Sequence, residues 1–146
     1  MRKLTLTIAW MNIKTVATRL AQDVFSAGDM AAFDELIADS YVNHNMPVPG
    51  IPGTKAGFKQ VVQATRQAFP DVQVHIQDMV AEGDLVVFHD TVQATSTGDF
   101  LGIPPTGKPL GWTEIHFLRV ANDQIVEHWT NFDQFGILKQ LGAIPG

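Results

Sequence analysis

Hydrophobic residues recur at helical spacing over the first part of the chain and at a period of two over most of the rest. From Asn12, Ile13, Val16, Ala17, Leu20 and Val24 form one stripe, closed by Gly28. Asp29 is placed to cap a second helix whose buried side holds Ala32, Phe33, Leu36 and Ile37. Between Ser40 and Gly53 the breakers Pro47, Pro49, Gly50, Pro52 and Gly53 predict a long loop. Phe58, Val61, Val62, Thr65 and Phe69 predict a third helix from Thr54, stopped by Pro70. Beyond it Val72, Val74 and Ile76 alternate with Gln73, His75 and Gln77, and Glu82-Gly83-Asp84 supplies a turn before a strand from Leu85 to Thr97. The stretch from Gly98 to Gly111 is rich in breakers. Strands from Trp112 to Val120 and from Ile125 to Phe132 then flank a turn at Asn122-Asp123, and a short helix from Gln134 to Leu141 ends at Gly142.

Helices followed by strands predict a single α+β domain, with the N-terminal helices packed on a curved antiparallel sheet and a cone-shaped cavity between them. The turn at Asn122-Asp123 pairs Ala121 with Gln124, and strict alternation from there sets Trp129 opposite His116. One face of the hairpin then carries Trp112, Glu114 and His116 with Glu127, Trp129, Asn131 and Asp133. The other carries Thr113, Ile115, Phe117 and Arg119 with Val126, His128, Thr130 and Phe132. Tryptophans mixed with a few carboxylates, an imidazole and an amide are suited to the wall of a pocket for a small apolar organic ligand.

Composition narrows the chemistry. The 146 residues include no cysteine, which rules out a disulfide framework, a thiolate nucleophile and a thiolate zinc site. A net charge of −5 argues against nucleic acid as a partner. No apolar run reaches the ~18–20 residues that span a bilayer, so no membrane is expected either. Arg2 and Lys3 precede a short apolar stretch without an A-x-A cleavage site. The expectation is a cytoplasmic protein, with residues 1–11 as an N-terminal extension to a domain covering 12–146. His75, His89 and Asp90 lie on neighbouring strands, but no H-E-x-x-H spacing supports a metal site. Walker-type, G-x-S-x-G and G-x-G-x-x-G motifs are absent as well, so no metal is expected and the nucleotide, serine-hydrolase and dinucleotide readings lack their usual marks.

What remains is proton transfer by carboxylates and imidazoles. His116, Glu114 and Asp133 are the candidate acid/base groups, and Trp112, Trp129 and Asn131 stand beside them on the same face. His44, next to Asn43 at the start of the Pro/Gly loop, is placed to look into the cavity mouth. Each has an ordinary structural alternative: Asp133 precedes a helix and fits an N-cap, Glu114 fits a solvated surface, and His116 and Trp129 fit a core.

Four segments carry a family resemblance: Ala68-Phe69-Pro70-Asp71, Ala81-Glu82-Gly83-Asp84, the run from Gly98 to Lys108, and Gly136 to Gly142. Together, in order, they resemble the SnoaL-like polyketide cyclases. The resemblance implies a nuclear transport factor 2-like α+β barrel, a homodimer or homotetramer, and a cofactor-free intramolecular aldol condensation of a polyketide ester. It also implies that His116 is the pocket histidine, that Glu114 is the polar residue two positions before it, and that Asn43 is the asparagine of the second-helix loop. The cyclases' catalytic Asp falls on Thr130, and Asp133 matches a second acidic position. Threonine has no usable pKa near 7, so Asp133, Glu114 or His116 takes the role, or the cyclase reaction is not performed. A non-catalytic ligand-binding module and a protein-interaction domain are the alternative functions.

Overall fold

The computed structural model describes residues 12–146, and the expected extension over 1–11 lies outside the described residues. Asn12 starts α1 (Ile13–Arg19) by accepting the Lys14 amide on its side chain. The helix does not stay α-helical to Gly28. It widens into a π-helical stretch, Leu20–Ser26, in which the Ala27 amide reaches back to the Gln22 carbonyl. The stretch ends at Gly28, where φ is +74°, and it carries Phe25 to within 6.0 Å of the Phe58 ring centre. Asp29 caps α2 (Met30–Leu36) through the Ala32 amide, as its position suggested.

Helix α2 stops at Leu36, and Ile37 opens a strand, β1 (Ile37–Asn43), where a helix end and the beginning of a loop were expected. The cause is non-local. β1 pairs in parallel with the last strand, Ile37 beside Ile125 and Asn43 beside His128, and nothing in the local pattern reveals a partner so distant in sequence. The Pro/Gly loop follows. Thr54 then caps α3 (Lys55–Ala68), which places Phe58 and Val62 in the core.

Strands β2 (Gln73–Glu82), β3 (Leu85–Thr95), β4 (Pro109–Ala121) and β5 (Gln124–Phe132) form an antiparallel run, and α4 (Gln134–Gln140) closes the chain. The sheet order is β1-β5-β4-β3-β2, so the five-stranded sheet is mixed and not purely antiparallel. Its inner face buries Val86, Phe88, Val92, Trp112, Leu118 and Ile125 against Val16, Leu20, Val24, Phe33 and Phe58 of the helices.

The last hairpin holds the correction that matters most for function. Asn122 and Asp123 form the expected turn, both at positive φ (50° and 60°), and Ala121 pairs with Gln124. A bulge at Val126 then shifts the register between Val120 and Arg119. His116 therefore pairs with Thr130 and Phe117 with Trp129. Because side chains alternate, a one-residue slip exchanges the faces of a strand. His128, Thr130 and Phe132 turn inward beside His116 and Glu114, whereas Glu127, Trp129 and Asn131 turn to the outer face.

Candidate active site

Between α3, the π-helical stretch and the inner face of the sheet lies a cavity walled by Phe25, Phe58, Val61, Phe69, Val92 and Phe100. One end is polar. There Asn43, Trp112, Glu114, His116, His128 and Thr130 meet. Strand pairing brings them together: Phe88, His116 and Thr130 form one cross-strand row, and Asp90, Glu114 and Phe132 form the next. Phe88 stacks on the His116 ring at 4.7 Å, and the Phe58 edge meets the His128 ring at 5.3 Å, so packing fixes both imidazoles.

A continuous hydrogen-bonded chain crosses this end. Glu114 accepts from Trp112 Nε1 on one carboxylate oxygen and contacts His116 Nε2 with the other, each at 2.6 Å. His116 Nδ1 lies 2.9 Å from His128 Nε2, and His128 Nδ1 lies 2.8 Å from the Tyr41 hydroxyl. Asn43 donates its amide to the same hydroxyl at 3.1 Å. Thr130 Oγ1 sits 2.7 Å from His128 Nε2 and 3.3 Å from His116 Nδ1.

Electrostatics assigns the protons. Burial alone would lower the His116 pKa, but the hydrogen bond and charge of Glu114, with Asp90 adding to them, raise it on balance. Burial would raise the Glu114 pKa, yet the hydrogen bond and charge of His116 and the Trp112 N–H lower it. The two form an ion pair. Burial, reinforced by the neighbouring His116 cation, drives His128 well below the ordinary histidine value, so it stays neutral. With His116 cationic, both its ring nitrogens donate, one to Glu114 and one to His128 Nε2. Neutral His128 must then carry its proton on Nδ1 and donate it to Tyr41.

Of the residues expected at the site, Asn43, Trp112, Glu114, His116 and Thr130 border the cavity. Trp129, Asn131, His44 and Asp133 are elsewhere, which corrects the expected pocket wall. The Val126 bulge turns Trp129 and Asn131 outward. His44 stacks on Trp129 at 4.4 Å, with its Nε2 3.4 Å from Glu127. Asp133 is exposed and caps α4 through the Gly136 amide at 2.9 Å. Three participants were not anticipated: His128, Tyr41 and Asp90. Asp90 left a visible signal, a carboxylate in the inward register of Val86, Phe88, Val92 and Ala94. His128 left none, because no glycine or proline marks the bulge.

Asp90, Glu114 and His116 bring donor atoms within 4.8 Å of one another, the one such grouping among the described residues. Two ligands of a single ion at ~2.1 Å keep about 2.9 Å or more between them. The 2.6 Å contact of His116 with Glu114 is a hydrogen-bond spacing instead.

Comparison with known proteins agrees with this architecture. The crystal structure of wild-type IdmH from Streptomyces antibioticus superposes with a TM-score of 0.78 at 35% identity, covering 90% of this chain and 99% of that one. The nogalonic acid methyl ester cyclase of Streptomyces nogalater is 27% identical over 122 residues, 81% of this chain and 89% of that protein. The aklanonic acid methyl ester cyclase DnrD of Streptomyces peucetius is 25% identical over 139 residues, 90% of this chain and 92% of that protein. A profile of the SnoaL-like polyketide cyclases matches residues 15–141, and with the helix-covered five-stranded sheet it establishes that the chain belongs to that family.

Proposed function

We propose that the protein is an acid/base enzyme acting on a neutral, largely apolar carbonyl compound of the polyketide ester class. In this reading Glu114, oriented by His116 and Trp112, takes a proton from carbon next to the carbonyl. The resulting enolate carbon attacks a second carbonyl of the same molecule and closes a ring, and the alkoxide so formed takes up the proton that Glu114 removed. The observation that carries the reading is the Glu114–His116–His128–Tyr41 chain, which opens on an otherwise apolar cavity. A bound carboxylate spared from water and linked to a proton chain is suited to enolate chemistry. Thr130 tethers the two imidazoles and is not the base, and no cofactor enters the step. The exposed apolar outer face of β4 is read as a surface for self-association.

Nogalonic acid and aklanonic acid methyl esters, the esters in the relatives' names, are the probes. Glu114→Gln and His116→Ala are expected to lower ring closure by about 10²–10⁴-fold. Asp133→Asn, which keeps the cap of α4, is expected to leave it unchanged. Turnover that survives in both Glu114→Gln and His116→Ala overturns the reading. Tight binding of either ester without turnover by the unsubstituted protein favours the ligand-binding module.

A further inference from the structure

Asp90 is fully buried, and both of its carboxylate oxygens lack a hydrogen-bond partner, the only such side-chain atoms among the described residues. His116 Nε2 lies 3.5 Å from it, but the N–H there is already directed at Glu114, 2.6 Å away. Glu114 is also its cross-strand partner on β4. On its other side β2 places Ile76, and α1, which packs on β2 and β3, buries Val16 and Ala17. Behind His116 stand neutral His128 of β5 and Tyr41 of β1. Among the described residues no Lys or Arg borders the cavity. A single imidazolium thus faces two carboxylates in an apolar enclosure, and it balances one of them.

We propose that Asp90 is a positioning residue of this site, a carboxylic acid that keeps its proton until the pH reaches neutrality and below that holds the His116–Glu114 pair at zero net charge. The inference rests on the proton-transfer reading above and extends it. When Glu114 takes the substrate's proton, the three groups together become singly positive just as the enolate becomes singly negative. An ionised Asp90 would cancel that charge. Burial, and after it the Glu114 charge, push Asp90 up to about 7 against the partial opposition of His116, which is consistent with this geometry. The consequence is a site that works while Asp90 is neutral and weakens as Asp90 ionises.

Carbon-13 titration of the side-chain carboxyls reads Asp90 directly and needs no substrate. The expected result is an Asp90 midpoint near neutrality, with Glu114 ionised far below it. In Asp90→Asn, nitrogen-15 spectra of the histidines are expected to show the His116 midpoint lowered, because the Asp90 charge is one of the causes that raise it. A residue that merely filled space would leave that midpoint where it was. With a turned-over ester, Asp90→Asn should hold its activity to higher pH than the unsubstituted protein. An Asp90 midpoint in the ordinary carboxylate range overturns the proposal. So does binding of Mn²⁺ or Zn²⁺ that Asp90→Asn abolishes, since Asp90 would then hold a metal and not a proton. The titration of the unsubstituted protein stands whether or not the variant folds. Loss of the ring-closure reading would leave the titration intact, so the two failures are distinguishable.

Discussion

Burying Asp90 beside Glu114 gives two neighbouring carboxylates opposite proton affinities, and that makes stability depend on pH in both directions. Asp90 has a raised folded pKa, so its contribution is full below the unfolded value of 3.8 and is lost as pH climbs through about 7. His116 is also raised, and its contribution fades above 6.5, as pH passes its folded value. Glu114 is lowered, so it contributes above 4.5 and loses that contribution as pH falls through its folded value. His128 resists protonation in the fold, so acidification below 6.5 favours the unfolded chain. Asp90→Asn removes the first of these effects and weakens the second, because the Asp90 charge is one of the causes that raise His116. Above pH 7 it should raise stability, by up to about 4 kcal/mol, the free-energy equivalent of moving a carboxyl from 3.8 to about 7. At pH 5 Asp90 is neutral in the fold but already ionised in the unfolded chain, so the gain should fall to less than half, about 1.5 kcal/mol. Thermal unfolding at the two pH values checks this, and an equal change in Tm at both would show that Asp90 carries no buried charge at alkaline pH.

At the scale of elements, the β4–β5 hairpin joins a turn that follows local chemistry to a strand that does not. Asn122 and Asp123 both adopt left-handed backbone, which suits a two-residue turn matched to strand twist. Asp tolerates that conformation less well than glycine. Asp123→Gly should stabilise the protein by a few tenths to about 1 kcal/mol. Urea unfolding with an unchanged m-value and a higher midpoint is the expected result, and a lower midpoint would mean that Asp123 is unstrained. The helices, their caps at Asp29 and Thr54, and this turn were legible in the sequence because each is set by residues a few positions apart. Two features were not. The pairing of β1 with β5 joins segments more than eighty residues apart, and Val126 bulges with no residue of special backbone preference to announce it. The candidate site was legible to the same extent. Glu114, His116 and Trp112 lie before the bulge on the strand whose phase was correct, whereas Trp129 and Asn131 lie beyond it and were assigned to the wrong face. His128 was lost for the same reason.

Across the whole molecule the bulge also decides what the sheet offers to its surroundings. With the register shifted, Val87, Phe117 and Trp129 form one cross-strand row on the outer face, and His89, Ile115 and Asn131 form the next. Ile115 is 51% exposed and Phe117 37%, and Val42 of β1 lies exposed toward the same side. Trp129 gains the His44 ring over one face and the Phe117 ring at its edge, at 5.4 Å, so the patch is ordered before anything covers it. Contiguous apolar surface of this kind on a preformed sheet marks an interaction site. The chain is only 17% charged, so it has few side chains with which to shield the patch. On the self-association reading proposed above, the partner is a second copy of the same face, because a two-fold contact sets like patch against like patch. Ile115→Glu places a carboxylate at the centre of the patch, where it would meet its own copy across the two-fold axis. Sedimentation velocity should then show an oligomer for the unsubstituted protein and a monomer for Ile115→Glu. Far-UV circular dichroism should be unchanged, because Ile115 points away from the core. A monomer in both cases would rule out self-association through this face, and an oligomer in both would move the contact to another surface.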